Sequence, residues 1–72
     1  MYRFLIVIEK AGKNYSAYPP DLPGSIATGK TREEAEERMH EVIAMHIRGL
    51  IEDGMSVPES HSSAIFVAVD AD

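Results

Sequence analysis

The feature that most constrains the fold is one long amphipathic helix between Thr31 and Gly54. Thr31 with Glu34 three residues later forms a capping box, and Gly54 suits the C′ position that ends a helix. Between them, apolar residues recur at helical spacing on one face: Ala35, Met39, Val42, Ile43, His46, Ile47 and Leu50. A helix of roughly 22 residues is about 33 Å long. It is therefore expected to lie across the whole of any sheet this chain forms.

The residues before the helix predict three strands. Residues 2–9 and 15–18 are rich in aromatic and branched side chains and flank a turn at Gly12, which predicts a β-hairpin. Residues 25–30 predict a third, short strand. Gly29 within it indicates a bulge or a close approach of another backbone.

A fourth strand is expected after the helix, over the apolar residues 64–69. The third and fourth strands are joined through a helix, so they should run parallel, and the crossover between them should be right-handed. In a meander the first strand is also parallel to the third, so the fourth strand can lie beside the first. The expected fold is thus one α+β domain over residues 1–72, with a β-β-β-α-β order and a four-stranded mixed sheet of order 3-2-1-4.

The charge is unevenly distributed along the chain. The net charge is −5, with +2 over residues 1–30 and −7 over residues 31–72. An acidic protein is poorly suited to binding nucleic acid directly, because phosphate attraction supplies most non-specific affinity. A basic protein partner fits better. The alternative is that the acids only keep an exposed helix hydrated.

The chain is short and has no cysteine, so neither a disulfide nor a cysteine zinc site can support its core. We therefore expect a homodimer or homotetramer. No apolar run approaches the ~20 residues of a membrane span, and the amino terminus lacks a signal-peptide pattern. We expect a cytoplasmic protein that does not contact membranes.

Side chains that could carry chemistry are few and scattered. Glu9 and Asp70 could lie at the ends of adjacent strands, but a two-metal nuclease site needs several converging acids. His40 and His46 are six residues apart on the helix, which is not the i, i+4 spacing of a metal pair. We expect no catalytic residue, no metal, no cofactor and no enzymatic activity.

Two sets of residues are candidates for protein contacts. A rigid aromatic loop can bind a partner, and the residues of the first set share that loop: Tyr15, Tyr18, Pro20, Asp21, Leu22 and Pro23. The alternative is that Tyr15 and Leu22 only close the end of the core. The second set lies beside an edge strand or off the main helix stripe, and is expected at an oligomer interface: Ser25, Ile26, Met45 and Met55.

Several short motifs together resemble the HicB family of antitoxin-like proteins. They include Pro20-Asp21-Leu22-Pro23-Gly24, Ala27-Thr28-Gly29, Glu33-Glu34-Ala35 and Leu50-Ile51-Glu52-Asp53-Gly54. The resemblance implies a partial ribonuclease H-like fold without catalytic activity. It also implies a partner, a small basic mRNA-cleaving toxin of the HicA type, whose active site the domain masks. Dimers or higher oligomers are common in the family.

This sequence departs from the family pattern at two points. Ser25 stands where many members have cysteine after the Pro-Gly pair. Full-length members usually carry a C-terminal DNA-binding domain, whereas this sequence ends at Asp72, so we expect a stand-alone domain that does not bind operator DNA. The alternative function is a stand-alone oligomeric regulatory or scaffolding protein without a toxin partner.

Overall fold

A computed structural model describes residues 1–71 and contains, over that range, three strands and one helix. They are β1 (Val7–Ala11), β2 (Asn14–Tyr18), β3 (Ala27–Gly29) and α1 (Arg32–Glu52). The strands form an antiparallel sheet of order β1-β2-β3, and α1 packs on it. The α+β class and the order of the first three strands are confirmed.

The start of α1 is fixed by side-chain hydrogen bonds to free backbone groups. The Thr31 hydroxyl oxygen accepts from the Glu34 N–H at 3.1 Å, as the capping box predicts. The Glu34 carboxylate accepts from the Lys30 N–H at 3.0 Å, one residue before the cap. The loop that leads into the helix is thereby held in place.

The end of α1 is a Schellman motif. The N–H of Gly54 donates to the Ile51 carbonyl at 3.1 Å, and the N–H of Met55 donates to the Leu50 carbonyl at 2.8 Å. Gly54 has a φ of 68°, a conformation that favours glycine. The predicted end of the helix is confirmed. Within residues 1–71 no helix is long and apolar enough to cross a membrane.

The predicted first strand was wrong in its start and in its place in the sheet. Val7 pairs with Tyr18, the last residue of β2, and the buried Pro19 that follows cannot donate to a ladder. Residues 2–6 therefore have no strand partner within the described chain, and β1 begins only at Val7. β1 is an edge strand rather than the centre of the sheet.

The predicted fourth strand is not formed in the described chain. Residues 64–69 belong to no strand, and their side chains are exposed, including Phe66 (106%) and Ile65 (84%). A strand needs a ladder partner, and this segment has none within residues 1–71. The order 3-2-1-4 therefore stops at three strands, with one side of β1 open.

Three alanines dominate the core where α1 meets the sheet. The buried cluster there consists of Ala17 on β2, Ala27 on β3, and Ala35 and Met39 on α1. Partly buried apolar residues surround it: Ile6, Ile8, Tyr15, Val42 and Ile43. The small residues let α1 approach the sheet closely. A Cβ on Gly29 would lie 2.6 Å from the Ala35 nitrogen, which confirms the predicted close backbone approach.

Candidate functional site

The residues predicted to bind a partner differ in their solvent exposure along the loop between β2 and β3. Pro20 and Pro23 are exposed, whereas Leu22 is only 1% exposed. The Leu22 N–H donates to the Pro19 carbonyl at 3.0 Å, which turns the side chain inward. Leu22 therefore closes the core, and the two prolines remain available to a partner.

The two tyrosines of β2 have different surroundings. Tyr15 is half-buried against the core, and the Arg32 guanidinium lies 5.7 Å from the centre of its ring. Tyr18 is 38% exposed at the end of the strand. A hydrogen bond to the Glu9 carboxylate, together with its negative charge, raises the pKa of Tyr18 above its ordinary value of 10.0. Tyr18 is therefore a neutral hydrogen-bonding aromatic group at the surface.

Asp21 holds the segment that follows the helix. Its Oδ2 accepts from the Ser62 N–H at 2.9 Å, the His61 N–H at 3.0 Å and the Ser60 hydroxyl at 3.4 Å. Its Oδ1 accepts from the Ser62 hydroxyl at 2.9 Å. The Ser62 N–H is the main cause that lowers the pKa of Asp21 below 3.8. We call these contacts the Asp21 clamp; they give Asp21 a structural role.

The predicted oligomer set is brought together in part. Ile26 and Met45 are 64% and 68% exposed and line one surface cavity of about 310 Å³ with Ser25. Ser25 itself is buried, and its hydroxyl lies 3.3 Å from Nδ1 of His46 in the same cavity. Met55 is exposed beyond the helix end and is not part of this lining.

The Ser25–His46 pair was missed from the sequence because it joins residues 21 positions apart. A hydroxyl beside an imidazole can act as a nucleophile with its base when a third group orients the imidazole. Among the described residues, Ser25 alone forms a side-chain hydrogen bond with His46, so no third side chain orients the imidazole. The pair fits a polar link that ties the loop to α1.

An acidic stripe runs along the outer surface of α1. We use this name for Glu33, Glu37 and Glu41, which are all exposed and follow each other at i, i+4 spacing. The neighbouring Glu34 is partly neutralised by Arg38 at 3.4 Å. The potentials of these three carboxylates add, so the stripe creates a negative electrostatic potential at the helix surface.

The carboxylates do not assemble into a metal centre. Within residues 1–71, no group of three or more histidine, aspartate or glutamate side chains could hold a metal ion. Asp70 lies in the exposed segment after the clamp, not on a strand beside Glu9.

A family model described as the HicB_like antitoxin of bacterial toxin-antitoxin system matches residues 4–70. The match includes the hairpin, the β2–β3 loop, the whole of α1 and the Asp21 clamp. The chain belongs to the HicB-like antitoxin family. The description of that family names an antitoxin of bacterial toxin-antitoxin systems.

A relative of this HicB-like chain is found in Haemophilus phage HP1 (strain HP1c1). It is an uncharacterised 14.9 kDa protein of the rep-hol intergenic region, 39% identical over 56 residues. The match covers 78% of this chain and 42% of the phage protein, so the chain spans about two fifths of that relative's length. No solved structure matches the chain.

Proposed function

We propose that this chain is an antitoxin module that neutralises a small basic mRNA-cleaving toxin of the HicA type by covering its active site. Family membership over residues 4–70 is the observation that carries the proposal. The module acts by binding and needs no catalytic residue or cofactor of its own. The partial ribonuclease H-like architecture remains a prediction of the family resemblance, and a cytoplasmic location remains a prediction from the sequence.

The acidic stripe supports a basic partner. An RNA-cleaving protein has to attract backbone phosphates, so its active-site surface carries lysine and arginine. Exposed carboxylates at Glu37 and Glu41 would compete with RNA for those same groups. Opposite charges also speed the encounter of the two proteins, most strongly at low salt.

The end of β2 adds a contact of a different kind. Tyr18, Pro20 and Pro23 are exposed on a short stretch whose backbone is held by the buried Leu22. Such a rigid surface loses little conformational entropy when a partner docks. In the proposed complex the stripe attracts the toxin and this loop contributes to specificity.

The test is to co-express the chain with the protein encoded by the neighbouring open reading frame and to assay cleavage of a single-stranded mRNA transcript. The two proteins should co-purify, and the chain should suppress cleavage. The double variant Glu37→Gln/Glu41→Gln should weaken binding at least tenfold in 50 mM salt. The control Glu59→Gln/Asp70→Asn removes the same charge outside the stripe and should bind as the parent does.

Failure of the parent chain to co-purify with that protein, or to suppress cleavage, would overturn the proposal. It would favour the alternative, an oligomeric regulatory or scaffolding protein without a toxin partner. Equal weakening by both double variants would show that net charge acts without a localised stripe.

A further inference from the structure

We propose that two copies of this chain exchange residues 64–69, each copy adding this segment as a strand to the open edge formed by residues 2–6 of the other. The proposal concerns a surface separate from the acidic stripe. It rests on an unpaired segment, an unpaired edge and an uncovered groove, which are all present in the same protomer.

The exchanged segment is apolar and uncovered. Residues 64–69 read Ala-Ile-Phe-Val-Ala-Val and contain no charge. Phe66 is 106% exposed, and Val67 and Val69 are 72% and 77% exposed. Contiguous exposed apolar side chains of this kind mark an interaction surface. Because the segment is neutral, a basic partner would gain little from it, whereas an apolar edge of a second copy matches it.

The overall shape shows that part of the chain leaves the packed body. The radius of gyration is 14.5 Å, compared with about 11 Å for a compact domain of 72 residues. The longest dimension is 54 Å, whereas α1 accounts for roughly 31 Å at 1.5 Å per residue. A segment extending from the body is in reach of another molecule.

The two edges of the sheet are not equally available. At β3, Gly29 is packed against the start of α1, and the Thr28 carbonyl accepts from the Arg38 guanidinium at 3.0 Å. At β1, the strand pairs with β2 on one side, and residues 2–6 have no strand partner among the described residues. The edge that can accept another strand is therefore the one formed by β1 and the residues before it.

An apolar groove lies beside that edge. Its volume is about 460 Å³, and it separates the residues before β1 from the helix. Its apolar lining comes from both sides: Tyr2, Phe4 and Ile6, with Ile43, Ala44 and Ile47 of α1. Arg3, His40 and Arg48 also line the groove. A strand seated along residues 2–6 would direct alternate side chains into this groove, since successive side chains of a strand point to opposite faces.

The segment does not close on its own protomer. The Asp21 clamp fixes residues 60–62, and a second cavity of about 760 Å³ lies between Ser62–Ala64 and Phe4–Ile6 of the same chain. In addition, α1 covers only one face of the sheet, whereas the segment is apolar on both faces. A second copy supplies both the missing ladder partner and additional apolar surface.

The first test measures the mass of the 72-residue chain by light scattering after size exclusion. The parent chain should have twice the mass of one protomer. Val67→Lys should be monomeric at the same concentration. Its helical circular dichroism signal should be unchanged, because Val67 is 72% exposed and is not part of the core of its own protomer. The matched control Met45→Lys changes an equally exposed apolar residue on the other predicted surface and should remain dimeric. A monomeric parent, or dimers lost with Met45→Lys and kept with Val67→Lys, would overturn the proposal.

The second test uses the absence of cysteine in the chain. Leu5→Cys chains are mixed with Val67→Cys chains, and the double variant Leu5→Cys/Val67→Cys is oxidised alone. Exchange predicts covalent heterodimers in the mixture and covalent dimers of the double variant. A covalent link confined to single chains would show a fourth strand closed within the protomer and would contradict exchange, as would the absence of any link between the two positions.

Discussion

Two regions of the molecule differ in how completely their contacts are formed within one protomer. The junction of β3 with the start of α1 is held by short local contacts, since Gly29 lies against the Ala35 backbone and Thr31 caps the helix. Residues 2–6, which are apolar apart from Arg3, and the apolar residues 64–69 have no strand partner among the described residues. The junction is thus complete within the described chain, whereas the sheet leaves apolar surface uncovered.

The largest expected effect is at the junction. Gly29→Ala places a Cβ 2.6 Å from the Ala35 nitrogen, so helix and strand must separate. We expect a loss of about 3 kcal/mol in the free energy of unfolding, measured by urea denaturation. Gly49→Ala is the matched control: it lies inside α1 with nothing within 4 Å of its Cβ, and should stabilise by about 0.8 kcal/mol. Equal effects of the two changes would show that the close approach is not a constraint.

A smaller effect is expected in the loop before the junction. Gly24 has a φ of 88°, and a Cβ there would meet nothing within 4 Å. Gly24→Val should therefore cost about 1–2 kcal/mol through backbone strain alone, read from the melting temperature. Gly24→Asn should cost less, because asparagine tolerates positive φ. A melting temperature unchanged by valine would mean that the turn adopts another geometry in solution.

The smallest effect on global stability is expected at the chain ends. Asp21→Asn replaces one carboxylate oxygen of the clamp with an amide nitrogen that cannot accept, so residues 60–62 should lose protection from hydrogen exchange while α1 keeps its own. The clamp should also depend on pH. Because its contacts lower the pKa of Asp21, their stabilisation is complete above 3.8 and is lost as pH falls through the lower folded value.

The amide shift of Ser62 reports this titration directly. In the parent chain its midpoint should lie below pH 3.8, and in Asp21→Asn the transition should be absent. A midpoint above 3.8 in the parent chain would contradict the clamp.

What could be predicted from the sequence are the features with local signals. Thr31 with Glu34, Gly54 after an apolar periodic run, and Gly12 between two strand-like runs each fix a structure within a few residues. These predictions are confirmed because the hydrogen bonds involved join neighbours in the chain. Gly29 was predicted to mark either a bulge or a close backbone approach, and the structure shows the close approach.

The features that could not be predicted depend on contacts distant in sequence. The clamp joins Asp21 to a residue 41 positions away, and no local pattern marks that pairing. The apolar run over residues 4–8 predicts a central strand, because apolar composition shows that the side chains need burial. It does not show which segment covers them. For the same reason residues 64–69 were assigned to the sheet of their own chain. The predicted contact residues Ser25 and Leu22 proved to be buried.

The core of Ala17, Ala27 and Ala35 has a consequence for how this protein can vary. Ordinary cores offer branched side chains that can be exchanged for others of similar volume, so they tolerate substitution by repacking. The three alanine positions do not tolerate such exchange, because any larger side chain would push the helix away from the strands. In a saturation library, these three positions should accept little beyond glycine and serine, whereas the exposed loop and helix surface should accept most residues. Adaptation to a changing partner can then proceed on the surface while the scaffold beneath it stays fixed.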